Sequence, residues 1–88
     1  MPPILVELFG IPRQRAGAAT AQVDAATVAE ALRLLRELHP GLVDLLTADG
    51  RLSPHYLLSL DGAAFVHDLA MKLPPSARLL LLSADAGG

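Results

Sequence analysis

The chain has 88 residues, which suits a single domain near the small end of the usual range. Apolar residues make up 52% of it and aromatics only 3%, which argues against disorder and leaves Leu, Val and Ala to fill the core. The net charge is −2, and Arg13, Arg15, Arg33, Arg36, Arg51, Lys72 and Arg78 form neither a basic stripe nor an aromatic-interleaved set, which argues against a nucleic-acid partner. Cysteine is absent, which removes disulfides, thiolate metal sites and a Cys nucleophile together. No apolar run reaches the roughly 18–20 residues of a membrane span, and no signal-type segment opens the chain, so the expectation is a soluble, cytoplasmic protein with no membrane partner.

In chain order, Pro3 to Phe9 is an apolar, β-rich run that Gly10-Ile11-Pro12 ends. Arg13 to Ala19 reads as a loop around Gly17, and Thr20 to Asp24 alternates polar and apolar as a half-buried strand does. The two strands form a plausible antiparallel hairpin. Thr27-Val28-Ala29-Glu30 fits a capping box, in which the Thr hydroxyl accepts a late backbone N–H and Glu reaches back to the N–H of the cap. Val28, Ala31, Leu32, Leu35 and Leu38 then recur at helical spacing, Glu30, Arg33 and Glu37 fall on the other face, and Pro40-Gly41 is a stop. The spacing predicts a helix over about 28–38.

Leu42 to Thr47 suggests a helical turn before the Ala48-Asp49-Gly50 turn signal. Tyr56 to Leu60 reads as a third strand closed by Asp61-Gly62, Ala63 to Val66 as a short partner, and Arg78 to Ser83 as the last strand after the Pro74-Pro75-Ser76 turn. The domain thus covers 1–83, and 84–88 is predicted to be an extended, flexible tail ending in Gly87-Gly88. One main helix covers one face of a mixed four- or five-stranded sheet, an α+β two-layer arrangement. The β-grasp (ubiquitin-like) fold uses this order, with the first and last strands side by side in the middle.

The strands hold more apolar residues than one covered face requires. Ile4 to Phe9, Tyr56 to Leu60 and Leu79 to Leu82 are apolar in both phases of the strand period. Whichever phase the helix covers, several large apolar groups remain opposite it. A contiguous patch of that kind marks a partner surface, unless loops such as 42–47 or 63–73 fold over it. Leu5, Phe9, Leu58, Leu60, Leu80 and Leu82 are assigned to the open face.

The chain ends Ser83-Ala84-Asp85-Ala86-Gly87-Gly88. A terminal Gly-Gly arises by chance in roughly one chain in two hundred. A carboxylate that must attack ATP inside another protein's active site needs a slim approach. Five extended residues reach about 16–18 Å, and two glycines without Cβ pass a narrow channel in dihedrals closed to other residues. Ala86 keeps the approach slim as well.

With Phe9-Gly10 and Arg13 after the first strand, Ala16-Gly17, Thr27-Val28-Ala29-Glu30-Ala31-Leu32 opening the helix, Gly50-Arg51-Leu52 before the third strand and Ala86-Gly87-Gly88 at the end, the chain resembles the MoaD/ThiS family of sulfur carriers over nearly its whole length. The MoaD-like members are the most similar. The resemblance implies a protein cosubstrate and not an enzyme. An ATP-dependent activating enzyme adenylates Gly88, a sulfur donor converts the adenylate to a thiocarboxylate, and a sulfur-accepting biosynthetic enzyme, MoaE-like if the product is molybdopterin, takes the sulfur. Neither ATP nor any other cofactor is expected to be bound by this chain itself. The implied docking residues are Phe9, Arg13, Leu60 and Leu82 with the base of the tail, alongside Leu58, Leu80 and Ala86 of the open face and tail.

The sequence departs from that pattern in Pro74-Pro75-Ser76-Ala77-Arg78, where many MoaD-like chains carry an acidic turn, and in Leu82-Ser83-Ala84-Asp85, where aromatic or proline residues are usual. Thiamine, cysteine, tRNA-thiolation or secondary-metabolite pathways therefore stand beside molybdopterin. A ubiquitin-like modifier delivering Gly88 to a lysine amine is the second reading. A β-grasp interaction module with an inactive tail is the third. His39, His55 and His67 have no metal-ligand spacing, and no Ser sits in a nucleophile arrangement.

Overall fold

A computed structural model describes residues 3–84 of the chain. The predicted tail residues Asp85, Ala86, Gly87 and Gly88 lie outside the described residues. The elements run β1 (Ile4–Leu8), α1 (Gly10–Ala16), β2 (Thr20–Val23), α2 (Val28–Leu38), a 3-10 turn (Pro40–Leu42), β3 (Tyr56–Leu60), β4 (Ala64–Phe65) and β5 (Arg78–Ser83). The strands form one mixed five-stranded sheet in the order β2-β1-β5-β3-β4, with β1 and β5 parallel at its centre and every other pair antiparallel. This is the β-grasp, ubiquitin-like fold.

α2 forms where the periodicity places it, and its cap is a capping box with one difference. The Thr27 hydroxyl accepts from the Glu30 N–H at 3.2 Å, but Glu30 Oε1 accepts from the Ala26 N–H at 2.8 Å, one residue before the cap. Val28, Ala31, Leu32 and Leu35 are buried on the sheet-facing side. Each leucine removed from water in this way contributes about 2–3 kcal/mol. They meet Ile4, Val6, Leu8, Leu58, Leu79 and Leu81, and one cluster also takes in Leu42, Leu45 and Leu73.

The segment expected to be a loop, Arg13 to Ala19, is instead the second half of α1 and its cap. Pro12 sits in the first turn, where its missing N–H removes no helical bond. Gly17 ends the helix in the left-handed region at φ 74°, and its N–H donates to the Arg13 carbonyl at 2.9 Å. The predicted hairpin is thus an antiparallel pair connected through a short helix.

The two segments that could have covered the open face do not. Leu42 and Leu45 enter the core on the α2 side. The stretch from Leu69 to Leu73 runs along the start of α2, where the Val28 N–H donates to the Met71 carbonyl, the Ala29 N–H to Leu69 and the Leu73 N–H to Ala26. Among the described residues no helix is long and apolar enough to cross a membrane.

Candidate functional site

The strand registers decide what the open face carries. Leu5 lies opposite Arg78 and Gln22, Glu7 opposite Leu80 and Thr20, Leu82 opposite Leu57, and Ser59 opposite both Leu80 and Phe65. Directly paired residues share a face, so Leu5, Glu7, Leu57, Ser59, Phe65, Arg78, Leu80 and Leu82 lie on the side away from α2. Phe65 is 60% exposed, Phe9 40% and Leu57 37%, with Leu80 and Leu82 half-buried between them.

Two of the assigned residues are corrected. Leu58 pairs with Leu81 and is 1% exposed in the core. Leu60 pairs with Leu79 on the same helix-facing side, where it packs against the core. The phase of β3 is the reverse of that expected, because Tyr56, in step with Leu58 and Leu60, turns inward. Leu57 and Phe65 take their places on the open face. The signal for this was Ser59, the one polar residue of β3, which marks the outward phase just as Glu7 and Arg78 do on β1 and β5.

The face is graded along the strands. Arg78 and Glu7 approach at 3.5 Å near the start of β5, so that end is charged. At the other end the Phe9 N–H donates to the Leu81 carbonyl and Leu57 lies opposite Leu82, giving an apolar row Phe9–Leu82–Leu57. That row sits where β5 finishes and the chain continues toward 85–88. The apolar patch and the last described residues of the chain, Ser83 and Ala84, therefore share one end of the sheet.

At the rim beside this end, α1 offers two arginines with different surroundings. Arg15 reaches the Asp44 carboxylate through Nη1 and also donates to the Tyr56 hydroxyl at 3.1 Å, while that hydroxyl donates to Asp44 Oδ1 at 2.6 Å. The Arg15 hydrogen bond, then the Tyr56 hydrogen bond, hold the Asp44 carboxyl below its ordinary range. Burial, followed by the bond to Asp44, pushes the Tyr56 phenol up. Arg13, on the exposed side of α1, makes no ion pair within 4.0 Å among the described residues. It lines a shallow hollow with Gly10, Gln14, Gly17, Ala18 and Ala19. Ala86, Gly87 and Gly88 fall outside the described residues. No group of His, Asp and Glu suited to a metal ion occurs among the described residues.

Fold, strand order and graded open face define a ubiquitin-like protein of the β-grasp class. Among solved structures the chain is similar to SAMP1 (small archaeal modifier protein 1) from Haloferax volcanii, with 29% identity, a TM-score of 0.84, and 98% of this chain and 99% of that one covered. It is also similar to SAMP1 from Methanosarcina acetivorans, at 21% identity and a TM-score of 0.82 over 100% of this chain and 98% of that one. A chain of the Amycolatopsis orientalis BexX/CysO complex matches at 22% identity and a TM-score of 0.79, over 97% and 99% of the two chains. At the identities of the last two, the likeness is one of fold. No family model matches the sequence, and neither does any curated protein.

Proposed function

We propose that the chain is a sulfur carrier whose Gly88 carboxyl is activated by a partner enzyme and loaded with sulfur for cofactor biosynthesis, with molybdopterin as the first pathway to test. The observation that carries this reading is the placement of the Phe9–Leu82–Leu57 row at the end of β5 from which the chain runs on to Gly87-Gly88. A partner seated on that row is within reach of the segment it must modify. Arg13, exposed on the helix that Phe9 caps and without an ion pair within 4.0 Å among the described residues, is a ready contact for an acidic group of the partner.

In the proposed chemistry a carboxylate oxygen of Gly88 attacks the α-phosphorus of ATP on the activating enzyme, and pyrophosphate leaves. Hydrosulfide, or a donor at that oxidation level, then attacks the acyl carbon. AMP departs with the bonding electrons and leaves a thiocarboxylate. The chain's own part is to present the carboxyl and to dock. A cytoplasmic location goes with this reading.

The second reading, a protein modifier that passes the same activated Gly88 to a lysine amine, is favoured by the 29% identity to a protein named as a modifier. Intact mass after incubation with an activating enzyme, ATP and sulfide tests the first reading. The expected result is a gain equal to exchanging one oxygen for sulfur, located at Gly88 and absent when Gly88 is deleted. No gain overturns it, and adducts to protein lysines under the same conditions select the modifier. Leu57→Ser with Phe65→Ser is expected to raise KM for the activating enzyme about tenfold, since exposed apolar anchors carry much of a docking energy.

A further inference from the structure

The Arg15–Asp44–Tyr56 cluster ties three separate parts of the chain together at one corner. α1 brings Arg15, the segment after the 3-10 turn brings Asp44, and the first residue of β3 brings Tyr56. The backbone tightens the same corner, because Gly41 lies so close to α1 that a Cβ there would fall 1.9 Å from the Arg15 carbonyl oxygen. Tyr56 is paired with Ser83, and the next amide along, Ala84 N–H, donates to the His55 carbonyl at 2.8 Å. The cluster therefore sits on the residue whose backbone pairs with the end of β5, beside Ser83 and next to the last described residue before 85–88.

An exposed ion pair contributes little to stability, and this one is about half exposed on the Arg15 side. Two side chains from distant positions sharing the Asp44 carboxylate beside the end of β5 are better accounted for by orientation than by stability. We propose that Asp44, bridged to Arg15 and Tyr56, is a positioning residue that fixes the direction in which the chain leaves β5, and so aims the Gly88 carboxyl at the activating enzyme. The proposal rests on the activated-tail reading for its last clause. Its first clause, the fixing of Ala84, stands on the described residues. The predicted consequence is a kinetic split: docking uses the open face, whereas the rate of the chemical step depends on aim.

The test compares wild type with Asp44→Asn, Tyr56→Phe and, as a control for lost stability far from the tail, Thr27→Ala. Two readouts are taken on each intact chain. Amide exchange is expected to be about tenfold faster at Ala84 in Asp44→Asn and Tyr56→Phe, with α2 amides unchanged. Pyrophosphate exchange with the activating enzyme is expected to show kcat down about tenfold with KM within about twofold, and Thr27→Ala unchanged in kcat. Unaltered exchange at Ala84 overturns the proposal whatever the enzyme does. Faster exchange with wild-type kcat, or a loss that appears in KM alone, also overturns it. If wild type itself supports no pyrophosphate exchange, the activated-tail reading fails. The proposal's aim clause then falls with it, while the Ala84 result still decides the fixing clause.

Discussion

On the face toward α2, Ile4, Val6, Leu8, Leu79 and Leu81 are at most 1% exposed; on the other face Leu5, Leu80 and Leu82 of the same two strands stay half-buried, and Leu57 beside them is 37% exposed. Both faces are built mainly from leucine, so hydrophobicity does not explain the difference. Position relative to α2 does. What distinguishes the open phase in the sequence is one polar residue per strand: Glu7, Ser59 and Arg78. In the middle of the sheet the covered side is apolar, because a buried polar group without a partner is costly, whereas the open side carries charge at one end.

Equal-sized truncations on the two faces should break or sharpen this contrast. Leu81→Ala is expected to cost about 2–5 kcal/mol in urea unfolding, and Leu82→Ala on the neighbouring position less than about 1 kcal/mol. Equal losses would mean that the open face is covered. Gly41→Ala tests the corner between the faces: a methyl group 1.9 Å from the Arg15 carbonyl oxygen forces α1 outward, at a cost of about 1–3 kcal/mol. A neutral result would show that α1 is loosely held.

Thr27→Ala removes the cap of the helix that creates the covered face and is expected to lower stability by about 1 kcal/mol, read from the unfolding midpoint. The smallest effect concerns acid. Asp44 has its pKa depressed in the folded state, so its contribution is present above its ordinary value of 3.8 and is lost as pH falls through the lower folded value. Below about pH 4 wild type should lose stability more steeply than Asp44→Asn, and parallel acid titrations followed by circular dichroism check it. Identical slopes would mean that the Arg15 pair is not held in solution.

Much of the architecture was legible locally. α2, its Thr27 cap and its stop at Pro40 follow from contacts within a few residues, and so did the strands. α1 was missed because Gly10 and Pro12 look like breakers. Both sit in the first turn, and the informative residue was Gly17, placed to end a helix in the left-handed region. Phe65 escaped notice because a two-residue strand carries no period, and the Arg15–Asp44–Tyr56 cluster because its members are 12 to 41 residues apart.

By itself the sequence determined the order of the strands and of α2, the surplus of apolar strand residues and the Gly87-Gly88 pair, since each depends on residue type and near-neighbour spacing. Ser59 marks one phase of β3 in the sequence, but the tertiary structure fixed that phase toward the open face. In a strand apolar on both sides the choice depends on the register with β5 and on the hydroxyl of Tyr56 reaching Asp44. It likewise decided that the apolar row and the root of the tail meet at one end of the sheet, because that coincidence is made by the parallel pairing of β1 with β5, which no local interaction specifies.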